Sequence, residues 1–227
     1  MLSLVLPLYN EAACVDATVR DLLEALKGVG LELVLVNNGS QDDTGRRINQ
    51  LAVDNKKVKA FHLQDNAGYG GGIRFGLRMA SGDILGWAWG DGQIAPEHVR
   101  ACLNLVRREG ADIAKVRRVE RQDGRDRALV SAVYSQVMRR GFGLQTTDVN
   151  GCPKLMRRAT YERLDLRSDD WFLDPELMLK AAELGLDVRE VDATMLPRPG
   201  GSSKVNWRTV VEFNQRLLAW KRGWRPE

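Results

Sequence analysis

The sequence predicts an α/β fold in which a mostly parallel sheet has helices on both faces. Short apolar segments alternate with amphipathic helical patterns along the first hundred residues, which is the pattern of β-α-β units. Three of the apolar segments run directly into polar clusters. Because ligands lie beyond the carboxyl ends of the strands in such a sheet, the sequence also predicts one binding crevice at that edge.

In the first half, four strands are predicted, at Leu2–Leu6, Leu31–Val36, Lys59–Leu63 and Ile84–Trp87. The helix after the first strand has apolar residues at i, i+4, i+7, i+8 and i+11, which places them on one helix face. They are Val15, Val19, Leu22, Leu23 and Leu26. Asp42 and Asp43 begin the next helix, where acidic residues suit the positive end of the helix dipole. A third helix ends at Met79, and Pro96 begins a fourth.

The second half of the chain is less regular. It has predicted strands at Asp112–Val116 and Val188–Val191, and a loop at Thr146–Pro153. Helices are predicted at about Asp126–Arg140, near Thr160, at Asp174–Leu184 and at Trp207–Trp224. Because the sequence has no internal repeat, low-complexity tract or obvious linker, we expect residues 1–227 to form one domain.

Composition and cysteine usage favour a soluble protein of the cytoplasm. Hydrophobic residues make up 44% of the chain and charged residues 28%, which is ordinary for a globular domain. Cys14, Cys102 and Cys152 form no C-x-x-C pair, so we expect isolated reduced thiols. A strand begins at Leu2, which argues against a signal peptide, and no apolar run approaches the ~20 residues that span a bilayer.

The net charge of +4 is unevenly distributed. Residues 1–99 carry 9 Lys/Arg and 12 Asp/Glu, and residues 100–227 carry 25 and 18. The basic second half is either a solvated face or a surface that attracts phosphates or an anionic membrane. A nucleic-acid partner is not expected, because the chain lacks a lysine-rich arm and an aromatic-basic sheet motif.

The polar clusters provide the candidate site residues. P-L-Y-N-E at Pro7–Glu11 follows the first strand, N-N-G-S at Asn37–Ser40 follows the second, and Asp91-Gly92-Gln93 follows the fourth. Side-chain amides, a tyrosine, a serine and a carboxylate suit a nucleotide with its phosphates. A dinucleotide-binding turn is not indicated, because the first strand is not followed by G-x-G-x-x-G.

In their order and spacing these strings resemble the motifs of family 2 glycosyltransferases. The matching strings are P-x-Y-N-E, N-N-G-S-Q-D-D-T, the turn Asn66–Gly72, W-G-D-G-Q, the acidic pair Asp174 and Glu176, and G-G-S-S-K-V at Gly200–Val205. The resemblance covers nearly the whole chain. It implies the GT-A fold, with a Rossmann-like nucleotide-sugar-binding half at residues 1–99 and an acceptor-binding half at residues 100–227. Within the family, the chain is similar to dolichol-phosphate mannosyltransferase and bacterial polyprenyl-phosphate glycosyltransferases.

The resemblance also implies which residues bind the donor, a UDP- or GDP-linked sugar. They belong to the first four motifs and are Pro7, Tyr9, Asn10, Glu11, Asn37, Asn38, Gly39, Ser40, Asn66, Gly68, Gly72 and Gly90.

The metal-binding D-x-D motif of the family is incomplete in this chain. Trp89 replaces its first acid, while Asp91 and Gln93 still offer oxygen ligands. Mn²⁺ or Mg²⁺ commonly combines one or two protein ligands with substrate phosphates, so a divalent metal is expected at Asp91 and Gln93. The alternative is a degenerate site that binds the nucleotide without turnover.

By the same resemblance Asp91, Asp174 and Glu176 are the candidate catalytic residues. With a hydroxyl acceptor, Asp174 would be the general base. A phosphate acceptor is already anionic, and Asp174 would then position the sugar or the acceptor. A structural role is the alternative for both Asp174 and Glu176, because carboxylates at a helix start also complement the helix dipole.

Basic residues of the second half are candidate ligands of an acceptor phosphate. Arg118 stands where polyprenyl-phosphate transferases carry an arginine, and Arg127 and Ser131 lie four apart on a predicted helix. The other candidates are Arg198, Ser202, Ser203 and Lys204. A solvated surface role is the alternative for each arginine.

These expectations describe an inverting, metal-dependent transferase that moves a sugar from a nucleoside diphosphate to a lipid-linked acceptor such as polyprenyl phosphate, as in cell-envelope polysaccharide or glycolipid synthesis. The alternatives are a saccharide hydroxyl acceptor and a non-catalytic nucleotide-sugar-binding protein. The helix Trp207–Trp224 combines an apolar, aromatic stripe with basic flanks, which is typical of an interfacial helix. We therefore expect peripheral association with the inner face of the cell membrane; packing of this helix on its own domain is the alternative.

Overall fold

The computed structural model describes residues 1–120, 141–142, 144, 146, 148–196 and 215–226. In these residues a seven-stranded sheet has helices on both sides. The elements run β1 (Leu2–Leu8), α1 (Val15–Ala25), β2 (Leu31–Asn38), α2 (Thr44–Asp54), β3 (Val58–Leu63), α3 (Gly68–Met79), β4 (Ile84–Trp87), α4 (Glu97–Arg108), β5 (Ile113–Glu120), β6 (Lys154–Arg157), α5 (Arg158–Leu164), α6 (Leu173–Glu183) and β7 (Val188–Thr194). Residues 215–221 are also helical.

The sheet has the strand order β3-β2-β1-β4-β6-β5-β7 and is mostly parallel, as predicted. Within the described part of the chain, β6 is the one strand that runs against its neighbours, β4 and β5. The carboxyl ends of the other six strands therefore meet at one edge, which we call the carboxyl edge. Because β6 is reversed, its first residue, Lys154, lies at this same edge opposite Trp87 and Lys115.

Strands β1, β2 and β4 are mostly apolar, as expected for central strands whose two faces are both covered. One face of β1, with Leu2, Leu4, Leu6 and Leu8, packs in a cluster with residues of α1, α2 and α4. The other face belongs to a cluster that includes residues of α3 and α6. All three cysteines are buried and free, as predicted.

Strand β6 was not predicted. Its residues, K-L-M-R, are good helix formers, and four residues give a weak pattern. Tertiary packing overrides that propensity, since Lys154, Leu155 and Met156 are fully buried between β4 and β5. The helix predicted at Asp126–Arg140 and the first part of the helix predicted at Trp207–Trp224 lie outside the described residues.

Candidate active site

Asn38, the last residue of β2, ties two loops together at the carboxyl edge. Its Nδ2 donates to the Gly68 carbonyl oxygen at 2.8 Å and to Asn66 Oδ1 at 3.3 Å, and its Oδ1 accepts from the Ala67 N–H at 3.0 Å. The side chain is buried. Asn38 therefore fixes the turn before α3, which borders the predicted crevice at the carboxyl edge.

The loop after β1 is held against the loop after β2. Asn10 has a φ of 56°, a conformation that asparagine tolerates better than most residues. Its Oδ1 accepts from the Gln41 N–H at 2.8 Å, and its N–H donates to Ser40 Oγ at 3.0 Å. The Glu11 N–H donates to Thr44 Oγ1 at 2.9 Å. These contacts bring the first two predicted motifs into one polar surface.

The remaining candidates for donor binding lie at the same edge of the sheet. Asn37 Oδ1 accepts from the Ser40 N–H at 3.0 Å, and its Nδ2 lies 3.2 Å from His62 Nδ1. Gly39 has a φ of +72°, and a Cβ there would lie 2.5 Å from the backbone nitrogen of Asn66, so the turn requires glycine. Pro7 and Tyr9 are half-buried, whereas Gly72 and Gly90 are buried, packed against Asn38 and Leu8 respectively.

Asp91 follows β4 and is 9% exposed. Its Oδ1 accepts from the Gln93 N–H at 3.1 Å, which closes a tight turn at Gly92, where φ is +68°. The Gln93 side chain donates from Nε2 to the Leu196 carbonyl oxygen at 3.3 Å, and the backbone carbonyl oxygen of Gln93 accepts from the Leu196 N–H at 2.8 Å. The loop after β4 is thereby attached to the end of β7.

These oxygen atoms are compatible with a hard divalent cation. Among the described residues there is no group of three or more His, Cys, Asp or Glu side chains arranged around a metal site. One carboxylate, on Asp91, and the Gln93 amide oxygen nevertheless form a donor set that Mn²⁺ or Mg²⁺ accepts when substrate phosphates supply the other ligands.

Asp174, in the first turn of α6, belongs to a buried cluster at the carboxyl edge. Its Oδ1 lies 2.8 Å from the ammonium of Lys154, and the two side chains are 4% and 0% exposed. Its Oδ2 accepts a hydrogen bond from the Tyr69 hydroxyl at 3.3 Å. Burial, and then the negative charge of Asp174, raise the pKa of Tyr69 well above its usual value, so the phenol remains a donor. Both carboxylate oxygens of Asp174 thus have a positively charged or hydrogen-donating neighbour.

Glu176 is fully buried, and its carboxylate holds the loop before α6. It accepts from the Arg167 N–H at 3.0 Å and 3.1 Å, and from the Ser168 N–H at 2.8 Å. Lys180, one turn later, lies 2.8 Å from Glu176 Oε1. These contacts give Glu176 a structural task, and its catalytic role stays a prediction.

Trp89, at the place of the missing acid, contacts a buried ion pair. The guanidinium carbon of Arg118 lies 5.3 Å from the centre of the Trp89 ring. Arg118 also donates from Nε and Nη2 to the two carboxylate oxygens of Asp148, at 2.7 Å and 2.6 Å. Burial acts to raise the pKa of Asp148, but the Arg118 hydrogen bonds and charge lower it to about 2.

Of the predicted phosphate ligands, Arg118 alone lies within the described residues. Its Nε and Nη2 form a bidentate pair with Asp148, and its Nη1 contacts Met195 Sδ at 4.0 Å. The other candidates are outside the described part: Arg127, Ser131, Arg198, Ser202, Ser203 and Lys204.

The C-terminal segment packs partly on its own domain. Leu217 and Trp220 are buried in the cluster that contains Phe172, whereas Leu218 is 58% and Trp224 38% exposed. Among the described residues, no helix combines the length and the apolar character needed to cross a bilayer.

Sequence reasoning missed Lys154, Tyr69 and Trp171 as site residues. Lys154 escaped because strand β6 itself was not predicted. Tyr69 lies inside the N-A-G-Y-G-G-G turn, in which the glycines match the family motif and the tyrosine does not belong to it. For Trp171, the available signal was a tryptophan in the polar stretch D-D-W-F.

Comparison with known proteins identifies the family. The family model described as glycosyl transferase family 2 matches residues 3–165. The chain therefore belongs to glycosyl transferase family 2, as the resemblance of its motifs predicted.

Three curated relatives cover almost all of the chain. Glycosyltransferase AglD of Haloferax volcanii is 27% identical over 99% of this chain and 38% of its own length. An undecaprenyl-phosphate 4-deoxy-4-formamido-L-arabinose transferase of Pectobacterium carotovorum is 30% identical over 95% and 66%. Undecaprenyl-phosphate mannosyltransferase of Micrococcus luteus is 27% identical over 95% and 92%. The chain thus spans well under half of the first relative and about two thirds of the second.

Solved structures confirm the GT-A fold. Glucosyl-3-phosphoglycerate synthase from Mycobacterium tuberculosis, in complex with Mn²⁺, UDP and glucosyl-3-phosphoglycerate, matches with a TM-score of 0.72 and 20% identity, covering 96% of this chain and 77% of that one. Mannosyltransferase PcManGT from Pyrobaculum calidifontis, in complex with GDP-Man and Mn²⁺, matches with a TM-score of 0.67 and 15% identity, covering 100% and 65%. At these identities the likeness concerns the fold alone.

Proposed function

We propose that this chain transfers one sugar, with inversion, from a nucleoside diphosphate sugar to a polyprenyl phosphate. The observation that carries the proposal is the carboxyl edge itself. There the amide-rich loops after β1 and β2 lie beside Asp91 at the end of β4, on neighbouring strands of one sheet. Relatives named for undecaprenyl-phosphate transfer cover 95% of the chain and support the choice of acceptor.

In this proposal, the loops after β1 and β2 bind the nucleoside, and Asp91 with Gln93 would hold Mn²⁺ or Mg²⁺. A bound metal would neutralise the charge that grows on the leaving diphosphate. The chain's own residues orient the donor, so that an acceptor oxygen attacks the anomeric carbon from the face opposite the diphosphate. The new carbon–oxygen bond forms as the bond to the diphosphate breaks, and the diphosphate keeps the electron pair.

The surroundings of Asp174 favour a phosphate acceptor over a hydroxyl. A general base needs a carboxylate oxygen that can take the acceptor's proton. In Asp174, one oxygen lies against the Lys154 ammonium and the other accepts from Tyr69. An anionic phosphate needs no base, so this arrangement does not impede its attack. Transfer to a saccharide hydroxyl remains the second candidate, and nucleotide-sugar binding without turnover is the third.

A transfer assay distinguishes these functions. Radiolabelled UDP- and GDP-sugars are incubated with Mn²⁺ and one of three acceptors: polyprenyl phosphate, the matched polyprenol, which has a hydroxyl in place of the phosphate, or a saccharide. We expect a lipid-soluble product with the phosphate and none with the polyprenol. Product with the polyprenol, or with a saccharide only, would contradict the phosphate acceptor. Donor binding without product in any arm would indicate a binding protein.

We further propose that the C-terminal segment holds the chain at a membrane surface. Leu218 and Trp224 are exposed, and Arg216, Lys221, Arg222 and Arg225 are their neighbours in sequence. Arg216 and Arg225 also form ion pairs with Asp170 and Glu183. Truncation would remove the buried Leu217 and Trp220, so point changes give the cleaner test. Leu218→Ser should reduce co-sedimentation with anionic liposomes at low salt. Val53→Ser, which replaces an exposed apolar residue on α2, is the control; equal binding of both variants would contradict the proposal.

A further inference from the structure

Three half-buried aromatic side chains stand together at the carboxyl edge, next to the donor surface. The rings of Tyr69 and Trp171 stack with their centres 4.5 Å apart and an angle of 13° between their planes. The Trp89 indole lies beside the Tyr69 hydroxyl, where it partly offsets the rise in the pKa of that phenol. We call Tyr69, Trp89 and Trp171 the aromatic wall. None of the three is fully buried, so each keeps part of its surface open.

Close backbone packing fixes the two elements that carry the stacked pair. The Gly71 N–H, in α3, donates to the Asp169 carbonyl oxygen at 2.8 Å. A Cβ at Gly70 would lie 2.2 Å from the Ser168 carbonyl oxygen, so the start of α3 and the loop before α6 leave no gap between them. Glu176 holds the same loop through the Ser168 N–H at 2.8 Å. The ring of Trp171 is therefore presented by a loop with little freedom to shift.

A buried ion pair fixes the hydroxyl end of the wall. Tyr69 donates to Asp174, and Asp174 lies against the ammonium of Lys154. Beyond that ion pair, Lys154 Nζ and Asp174 Oδ1 make no hydrogen bond with any described group, although both atoms are buried. Buried polar atoms with spare hydrogen-bonding capacity are uncommon and often belong to functional sites. The pair thus supports the hydroxyl end of the aromatic wall.

The order of the binding loops along the sheet indicates which part of a nucleotide sugar would contact the aromatic wall. A nucleotide sugar is linear, with its diphosphate between the nucleoside and the sugar. The loops proposed to bind the nucleoside follow β1 and β2, and Asp91 follows β4, which is the neighbour of β1 in the sheet. Lys154, under Asp174, begins β6, one strand further on, and Trp89 is two residues from Asp91. The sugar would therefore reach the aromatic wall once the nucleoside and the diphosphate are in place.

We propose that the aromatic wall binds the apolar face of the donor sugar, and that Lys154 is a positioning residue which holds the wall in place through Asp174. This inference rests on the proposed function. A pyranose ring has a face of C–H groups, and an aromatic face carries partial negative charge that attracts them. Sites for small molecules are commonly lined by aromatic side chains with a few fixed polar groups.

The test compares the affinity for a nucleotide sugar with that for the nucleotide alone. UDP and UDP-glucose, and GDP and GDP-mannose, are titrated calorimetrically with Mn²⁺. The gain is the ratio of the affinity for the nucleotide sugar to that for the nucleotide alone. In Trp171→Ala this ratio should fall about tenfold, with binding of the nucleotide unchanged. Trp171→Phe keeps an aromatic face and should retain most of the gain. If the gain is the same in Trp171→Ala as in the unchanged protein, the wall does not bind the sugar.

The positioning role has its own variants. Tyr69→Phe keeps the ring but removes the contact with Asp174, and should raise the KM for the donor sugar more than it lowers kcat. Tyr161→Phe, on α5 at the other end of the sheet, should change neither. Lys154→Arg should retain the sugar's gain in affinity, and Lys154→Met should lose it while still binding the nucleotide. Equal behaviour of these two Lys154 variants would overturn the positioning role.

A protein that binds donor sugars through the wall but transfers none would contradict only the proposed function, and one that binds no donor would contradict both.

Discussion

The ammonium of Lys154 lies 2.8 Å from the carboxylate of Asp174, with both side chains buried. Removing one member of such a pair leaves the other charge without a partner in a poorly solvated place, which typically costs about 3–5 kcal/mol. Lys154→Met should therefore lower the free energy of unfolding by roughly that amount in urea. The double variant Lys154→Met/Asp174→Asn should recover a large part of the loss, since neither charge remains. Additive effects in the double variant would argue against the pair.

Asp91 is the carboxylate on which metal-dependent donor binding should depend. Asp91→Asn removes the negative charge but preserves the shape of the side chain, so the melting temperature should stay nearly constant. Manganese-dependent binding of a nucleotide sugar, measured by calorimetry, should be abolished. Asp54→Asn, on α2 away from the carboxyl edge, is the matched control. Unaltered binding in Asp91→Asn would exclude Asp91 as the metal ligand.

Asp174 offers a test of the acceptor. If it were a general base, Asp174→Asn would lower the rate by about 10²–10⁴ and remove a limb of the pH–rate profile. Because Asp174 contacts Lys154 and Tyr69, we expect a smaller loss, seen in the KM values of the donor sugar and the acceptor, and a pH–rate profile of unchanged shape. Loss of an acid limb in the variant would favour a hydroxyl acceptor.

Glu176 should act through the loop before α6. Glu176→Gln keeps one acceptor oxygen but loses the charge that faces Lys180 and two backbone N–H groups. We expect the free energy of unfolding to fall by about 1–3 kcal/mol, with kcat little changed at temperatures where the variant is folded. Glu162→Gln, an exposed change on α5, should leave stability unchanged. A large fall in kcat without a change in stability would instead support a catalytic Glu176.

Asp148 should make the protein sensitive to acid. Folding lowers the pKa of Asp148 from its ordinary value of about 3.8 to about 2, so its ionised form stabilises the native state. This contribution is complete above about pH 4 and is lost as the pH falls from there through 2; it amounts to roughly 2 kcal/mol. The stability difference between the unchanged protein and Asp148→Asn should therefore shrink across that window, and the exposed change Asp21→Asn should show no such trend. A constant difference would contradict the Arg118–Asp148 assignment.

Much of the fold was predictable because its strands are buried on both faces and its helices have clear apolar periodicity. The four strands predicted in the first half were all confirmed, with β1 and β2 extending two residues further, to Leu8 and Asn38. Strand β6 was not predictable by the same means. Its place in the sheet depends on pairing with β4 and β5, which are distant in sequence, while its own residues favour a helix.

The candidate site was predicted in outline, because motif positions at the ends of parallel strands must converge. The partners of each side chain could not be read from the sequence. The Asn38 amide, for example, contacts the turn before α3, 29 and 30 residues further along the chain, and its role in binding the nucleotide stays a prediction. The ion pair between Lys154 and Asp174 joins residues that are close in space because one strand is reversed, and no local pattern encodes that.

Four charged residues with paired contacts meet around the first residue of β6. Lys115, beside Lys154 in the strand register, contacts Glu190, and Lys154 contacts Asp174. Any single exchange among the four would leave a charge in the interior without its partner. Evolutionary change at these positions is therefore expected to proceed through paired substitutions, and an alignment of relatives should show Lys154 and Asp174 varying together.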